Sequence, residues 1–224
     1  MKKCLVIILC LLPSFMQAKV RFKLQCSIEG ISDQMIYLFL PESKSTDSTM
    51  SMAGKFTFKG FCKEPMMAKI QAKGSSKYIQ VFLENGKISL KAEFNKADGR
   101  YKNIQITGSR EHDVYLALTG AERGGFTPDE LSRWKEYKGT NDTTSLNKLK
   151  AAKTLEMEEA HIVIRNIVRE HPQYYAVAYF ISSARIDPSE KRIRERFYEL
   201  YSLIDERIKN SYYGRKFITA YNKK

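Results

Sequence analysis

Val20, Phe22, Leu24, Cys26 and Ile28 occupy every second position of a stretch whose intervening residues are mostly polar. That period of two is the signature of a strand with one buried face. It returns in "GKFTFKG" (Gly54 to Gly60), where Phe56 and Phe58 alternate with Lys55, Thr57 and Lys59. It returns again at Ala68, Ile70 and Ala72, at Ile88, Leu90, Ala92 and Phe94, and at Ile104 and Ile106. Met35 to Leu40 is apolar at both parities, which predicts a more central strand. Asn85-Gly86 lies between two such runs and predicts a two-residue hairpin. Gly54, Gly74 and Asp98-Gly99 mark further turns. Strands at intervals of roughly 8–14 residues predict an antiparallel sandwich or barrel, and a sandwich of about seven strands is the expectation.

Near Gly108 the period changes. Thr127-Pro128-Asp129-Glu130 supplies a cap, a proline at the first helical position and a glutamate three residues on. Asp187-Pro188-Ser189-Glu190 repeats that logic and predicts one helix carrying Ile193, Phe197, Leu200, Tyr201, Ile204 and Ile208 on a single stripe. A longer helix is predicted from about Thr144 to Glu170, stopped by Pro172, with Ile162, Val163, Ile167 and Val168 on its buried face. Gln173 to Ser183 reads as a short apolar helix. The fold class is therefore α+β. A β-sandwich domain is predicted over 19–108 and an α-helical region over 109–224, whose apolar stripes require a partner.

Residues 1–18 stand apart from this pattern. Lys2 and Lys3 precede the apolar run Cys4 to Leu12, Pro13 and Ser14 break it, and Ala18 offers a small residue for cleavage. This is the layout of a secretory signal peptide. The run is too short to cross a bilayer, which needs ~20 residues. Lipid attachment is disfavoured, because Cys10 follows Leu9 and no cysteine sits near Ala18. Export to the periplasm or cell envelope is the expectation, with no transmembrane segment in the mature chain.

Removing Lys2 and Lys3 takes the net charge of +13 to +11. That balance suits acidic partners or simply a well-solvated surface. Export argues against nucleic acid.

No reaction is legible in the remaining residues. Cys26 and Cys62 share the inward face of their strands, yet simple antiparallel register puts them near opposite ends of the pair. A disulfide needs Cα atoms within about 7 Å, and neither cysteine belongs to a Cys-x-x-Cys. Glu158 and His161 have the Glu-x-x-His spacing of a di-metal site, but His171 has Val168 three residues before it, so no second copy exists. Glu156 and Glu159 make that segment acidic, and a solvated helix face is the simpler expectation. Ser109, His112 and Asp113 are triad residue types, yet "GSREHD" reads as a helix start capped by Ser109, with Glu111 and Asp113 near its positive end. "GAERGGF" lacks dinucleotide and phosphate-loop spacing. Tyr174, Tyr175, Tyr179, Tyr212 and Tyr213 suit either sugar stacking or the core and its boundary. No catalytic, cofactor-binding or metal residue is assigned.

The order "FKLQCSIEG", "MIYLFL", "STDSTMSMAGKFTFKG", "VFLENGKISL" and "IQITGS" resembles a domain of unknown function of exported Gram-negative proteins. Asp47-Ser48-Thr49 with Gly54-Lys55-Phe56 is the most specific part. In that family the domain usually precedes a helical segment and a thioredoxin-like domain of thiol–disulfide oxidoreductases. "IVREHPQYYAVAYFI" and "ERFYELYSLIDERIKNSYYGRKF" resemble the helical segment. The resemblance implies a sandwich of transthyretin-like or immunoglobulin-like general shape. A Trp-Cys-x-x-Cys centre does not occur among these residues, so none can be carried over. The expectation is a non-catalytic accessory, scaffolding or binding module, acting beside a separately encoded thioredoxin-like envelope protein. The alternative is an envelope or surface module that binds glycan or another anionic ligand.

Overall fold

The computed structural model describes residues 19–41, 44–122, 127–184 and 190–222. The signal segment and the predicted cap at Asp187-Pro188-Ser189 lie outside the described residues. The strands are β1 (Val20–Glu29), β2 (Met35–Leu40), β3 (Ser45–Met50), β4 (Lys55–Cys62), β5 (Met66–Ala72), β6 (Ile79–Leu83), β7 (Gly86–Asn95) and β8 (Arg100–Thr107). They form two four-stranded sheets, ordered β4-β1-β7-β8 and β3-β2-β5-β6. The alternating apolar positions meet between the sheets: Leu24, Phe58 and Leu90 from one, Leu38, Ile70 and Val81 from the other. Gly60 takes an inward position of β4, and its missing side chain makes room for Phe22. A Cβ there would lie 2.9 Å from the Phe22 ring.

Four features depart from the pattern-based expectation. The described residues form eight strands where about seven are expected, because "STDSTM" pairs with β2 without any apolar alternation. It is a polar edge strand, held by backbone bonds, with nothing to bury. The first sheet is mixed, since β7 runs parallel to β1. Asn85-Gly86 is therefore no hairpin: β6 and β7 belong to different sheets. Asn85 Oδ1 instead accepts the Arg21 N–H at 2.7 Å and ties this crossover to the start of β1. Finally, Ile104 is 46% exposed although Ile106 packs on the core. The β7–β8 register slips between Lys91 and Glu93, where Asn103 has φ of 49°. The extra residue inverts side-chain parity, so Tyr101 rather than an isoleucine takes the next inward place.

Helices follow from Ser109 onward: α1 (Arg110–Ala121), α2 (Pro128–Gly139), α3 (Thr143–Glu170), α4 (Tyr175–Ser183), α5 (Lys191–Leu203), α6 (Glu206–Lys209) and α7 (Tyr212–Tyr221). Thr127 and Glu130 form a reciprocal capping box at α2. The stripe Leu200, Ile204 and Ile208 is buried as its spacing predicts, but the helix breaks between α5 and α6. There the Asp205 N–H turns to the Pro172 carbonyl at 3.1 Å. On α3 the buried apolar positions are Ala160, Ile164 and Val168, whereas Ile162 and Val163 are 52% and 49% exposed. Of the four residues expected on the buried face, Val168 is buried and Ile167 partly so, while contact with α1 and α5 through Ile164 turns Ile162 and Val163 outward.

The helices cover the outer side of the second sheet. Met67 and Phe82, paired across β5 and β6, point away from the sandwich core into the helical one, beside Leu118, Val177 and Tyr213. The Met67 N–H donates to the Tyr213 hydroxyl at 2.9 Å. The outer side of the first sheet keeps its cationic side chains exposed.

Candidate functional site

The residue types that suggested chemistry are placed apart. Cys26 stands opposite Phe56 and Cys62 opposite Val20, six positions along β1. At ~3.4 Å per residue that is about 20 Å, far beyond disulfide reach. Both cysteines are buried, and burial pushes the Cys26 thiol up to about 12. Ser109 Oγ is occupied as the cap of α1, accepting the His112 backbone N–H at 3.1 Å. The His112 ring is buried, its pKa is lowered by burial, and its Nδ1 has no hydrogen-bond partner among the described residues. Ser109, His112 and Asp113 thus form a helix start and no relay.

Glu158 and His161 do not converge. Glu158 pairs with Arg192 and Arg196, while His161 Nε2 lies 3.2 Å from Glu199 Oε2. Arg165 joins the same Glu199 at 3.1 Å. Burial opposes ionisation of Glu199, but these partners hold its carboxyl below the ordinary range. The expected solvated face is an ion-pair seam between α3 and α5. No cluster of three or more metal-ligand side chains occurs among the described residues. Of "GAERGGF", Gly120 ends within α1 and 123–126 lie outside the described residues. Tyr175 and Tyr213 are buried, Tyr174 and Tyr179 half-buried and Tyr212 exposed, so they belong to the helical core and its boundary.

Pattern reading missed the role of Glu111. It is buried, and accepts the Tyr175 and Ala176 N–H groups at 3.2 and 2.7 Å, capping α4 from a helix 64 residues away in sequence. Burial raises its pKa to about 7, against the lowering effect of those two bonds. It faces a cleft of about 500 Å³ with Lys63, Glu64, Gln173, Tyr175 and Arg207. Arg207 donates to the Tyr175 hydroxyl at 2.9 Å and the Gln173 carbonyl at 3.0 Å. Glu64 in turn accepts the Tyr212 N–H at 2.7 Å, so the cleft is a joint at which these side chains tie neighbouring elements together.

The outer face of the β4-β1-β7-β8 sheet is different in kind. Alternation sends the inward set to the core and leaves Arg21, Lys23, Lys55, Lys59, Lys87 and Lys91 outside, all exposed. Register then assembles them. Lys23 stands opposite Lys59 on one side and Lys87 on the other. Ser27 stands between Lys55 and Lys91 in the same way, and Gln25 between Thr57 and Ser89. Directly opposed like charges destabilise a sheet. Among the described residues, Lys23, Lys59 and Lys87 have no carboxylate partner. The acids on this face, Glu29 and Glu93, oppose each other at the far end. Two shallow depressions of about 480 and 410 Å³ mark the face, one around Lys23, Lys59 and Lys87, the other around Lys55 and Lys91. The arrangement can hold anionic groups; it offers no nucleophile or acid–base pair.

Residues 22–115 match the family described as a domain of unknown function (DUF4369), a span running from β1 into α1. No curated protein and no solved structure matches the chain. Among the described residues no helix is long and apolar enough to cross a membrane.

Proposed function

We propose that this protein is a non-catalytic exported accessory module of the cell envelope that binds an anionic partner through the outer face of its first sheet. The observation that carries the reading is the row Lys59–Lys23–Lys87, three cations in direct cross-strand register. A polyanion laid across the row relieves their mutual repulsion and adds charge-assisted bonds. The family match over 22–115 supports the domain assignment; the role beside thioredoxin-like envelope proteins rests on the resemblance read from the sequence. The burial of both thiols supports leaving the redox step to such a protein, because exchange requires an accessible thiolate.

Retention on a polyanionic matrix tests the anion-binding face. The triple variant Lys23→Gln/Lys59→Gln/Lys87→Gln is expected to elute at much lower salt than the parent. A charge-matched variant of the exposed helical cations, Arg133→Gln/Lys135→Gln/Lys150→Gln, is expected to elute close to it. Equal losses for both would reduce the effect to net charge and refute the face.

A further inference from the structure

We infer that the anionic partner is a lipid bilayer surface carrying anionic phospholipid headgroups, an inference that rests on the anion-binding reading of the first sheet. The cations are spread in two dimensions. With strands ~4.8 Å apart, Lys59–Lys23–Lys87 spans about 10 Å across the sheet. The Lys55–Ser27–Lys91 row lies four residues along the strands, about 13 Å away, with the neutral Thr57–Gln25–Ser89 row between. A linear polyanion follows one line of charge. A headgroup layer meets an area, and juxtamembrane basic side chains draw on it collectively.

The same face carries exposed apolar side chains. Phe61 is 62% exposed and stands opposite Arg21, whose guanidinium lies 5.7 Å from the ring centroid. Met52 is 74% exposed and bridges Lys55, with backbone bonds in both directions. Directly opposed residues of an antiparallel pair project to the same side, so Met52 shares the outer face with Lys55. The edge beside β4 therefore presents Met52, Lys55, Lys59 and Phe61 together: cations bracketed by two apolar side chains. A soluble acidic polymer offers nothing for Met52 to bury against. At a bilayer, the lysine heads meet phosphates while Met52 and Phe61 enter the headgroup–acyl boundary.

Co-sedimentation of the exported protein with vesicles tests this. Phosphatidylcholine vesicles containing phosphatidylglycerol are expected to bind it in a salt-sensitive manner, and pure phosphatidylcholine vesicles to leave it in solution. Lys23→Gln/Lys59→Gln/Lys87→Gln should weaken vesicle binding on the order of 100-fold. Met52→Ser/Phe61→Ser should weaken vesicle binding several-fold while leaving affinity for soluble polyphosphate unchanged. Unaltered thermal midpoints would establish that both variants fold. Binding to polyphosphate without binding to anionic vesicles would overturn the bilayer inference and keep the anion-binding face. Vesicle binding indifferent to Met52→Ser/Phe61→Ser would overturn it too. Binding to neither ligand would overturn both readings.

Discussion

Cys26 and Glu111 show how far burial moves an ionisable side chain. The Cys26 thiol, pushed up to about 12, is protonated at neutral pH, and Cys62 is buried at the other end of the same strand pair. Both thiols should resist a disulfide reagent in the native protein and react fully once it is unfolded. Insulin reduction with dithiothreitol should match the protein-free control. Turnover abolished by Cys26→Ser or Cys62→Ser would contradict the accessory role.

Glu111 moves from its ordinary 4.5 to about 7. A carboxyl raised on folding binds its proton more tightly in the folded state. Its stabilising contribution is therefore complete below about 4.5 and is lost as pH rises through about 7. The difference corresponds to about 3 kcal/mol across that window. His112, lowered by burial, titrates nearby in the opposite sense, so the comparison to make is wild type against Glu111→Gln. The stability difference between them should fall steadily from pH 4.5 to 7. A pH-independent difference would show that Glu111 does not titrate in this way.

At the scale of elements, register and capping decide which side chains count. The β8 bulge turns Ile104 outward and leaves Ile106 on the core. Ile104→Ala should change stability by less than about 0.5 kcal/mol. Ile106→Ala should cost about 1–2 kcal/mol, below the ~2–5 kcal/mol of a fully buried isoleucine because Ile106 is only partly buried. The reverse order in chemical denaturation would mean that the strand continues without a bulge. The capping box of α2 should likewise be measurable, with Thr127→Ala costing about 1 kcal/mol. The α3–α5 seam should contribute little for its size, because Glu158 and Glu199 remain partly solvated.

For the whole molecule, the two cores share the second sheet. Met67 and Phe82 are strand residues by position and helical-core residues by contact. The sandwich and the helices should consequently unfold in one transition. Tyr213→Phe leaves the buried Met67 N–H without its partner and should cost about 1–3 kcal/mol. Circular dichroism at wavelengths reporting helix and aromatic packing should show coincident midpoints in the parent. Separate midpoints would mean that the shared layer does not couple the two parts. This asymmetry also accounts for the exposed basic face: helices take one side of the sandwich, and the cations keep the other.

Local periodicity determined most of the elements. Alternation places Leu24, Phe58 and Leu90 inside, and three-and-four spacing places Leu200, Ile204 and Ile208 inside, because a strand or helix fixes side-chain direction within a few residues. The caps at Ser109 and Thr127 were legible for the same local reason. Strand partnership is a non-local choice. Asn85-Gly86 favours a turn whichever strands it joins, so the parallel β1–β7 pairing depended on how the sheets close over the core. The polar strand β3 carries no burial signal of its own. Glu111 meets α4 across 64 residues, a contact that no helix-start pattern encodes. The lysine row follows the same rule. Sequence places Lys23, Lys59 and Lys87 on outward strand positions, but only tertiary register sets them side by side, because charges far apart in the chain become neighbours through the backbone bonds of a sheet.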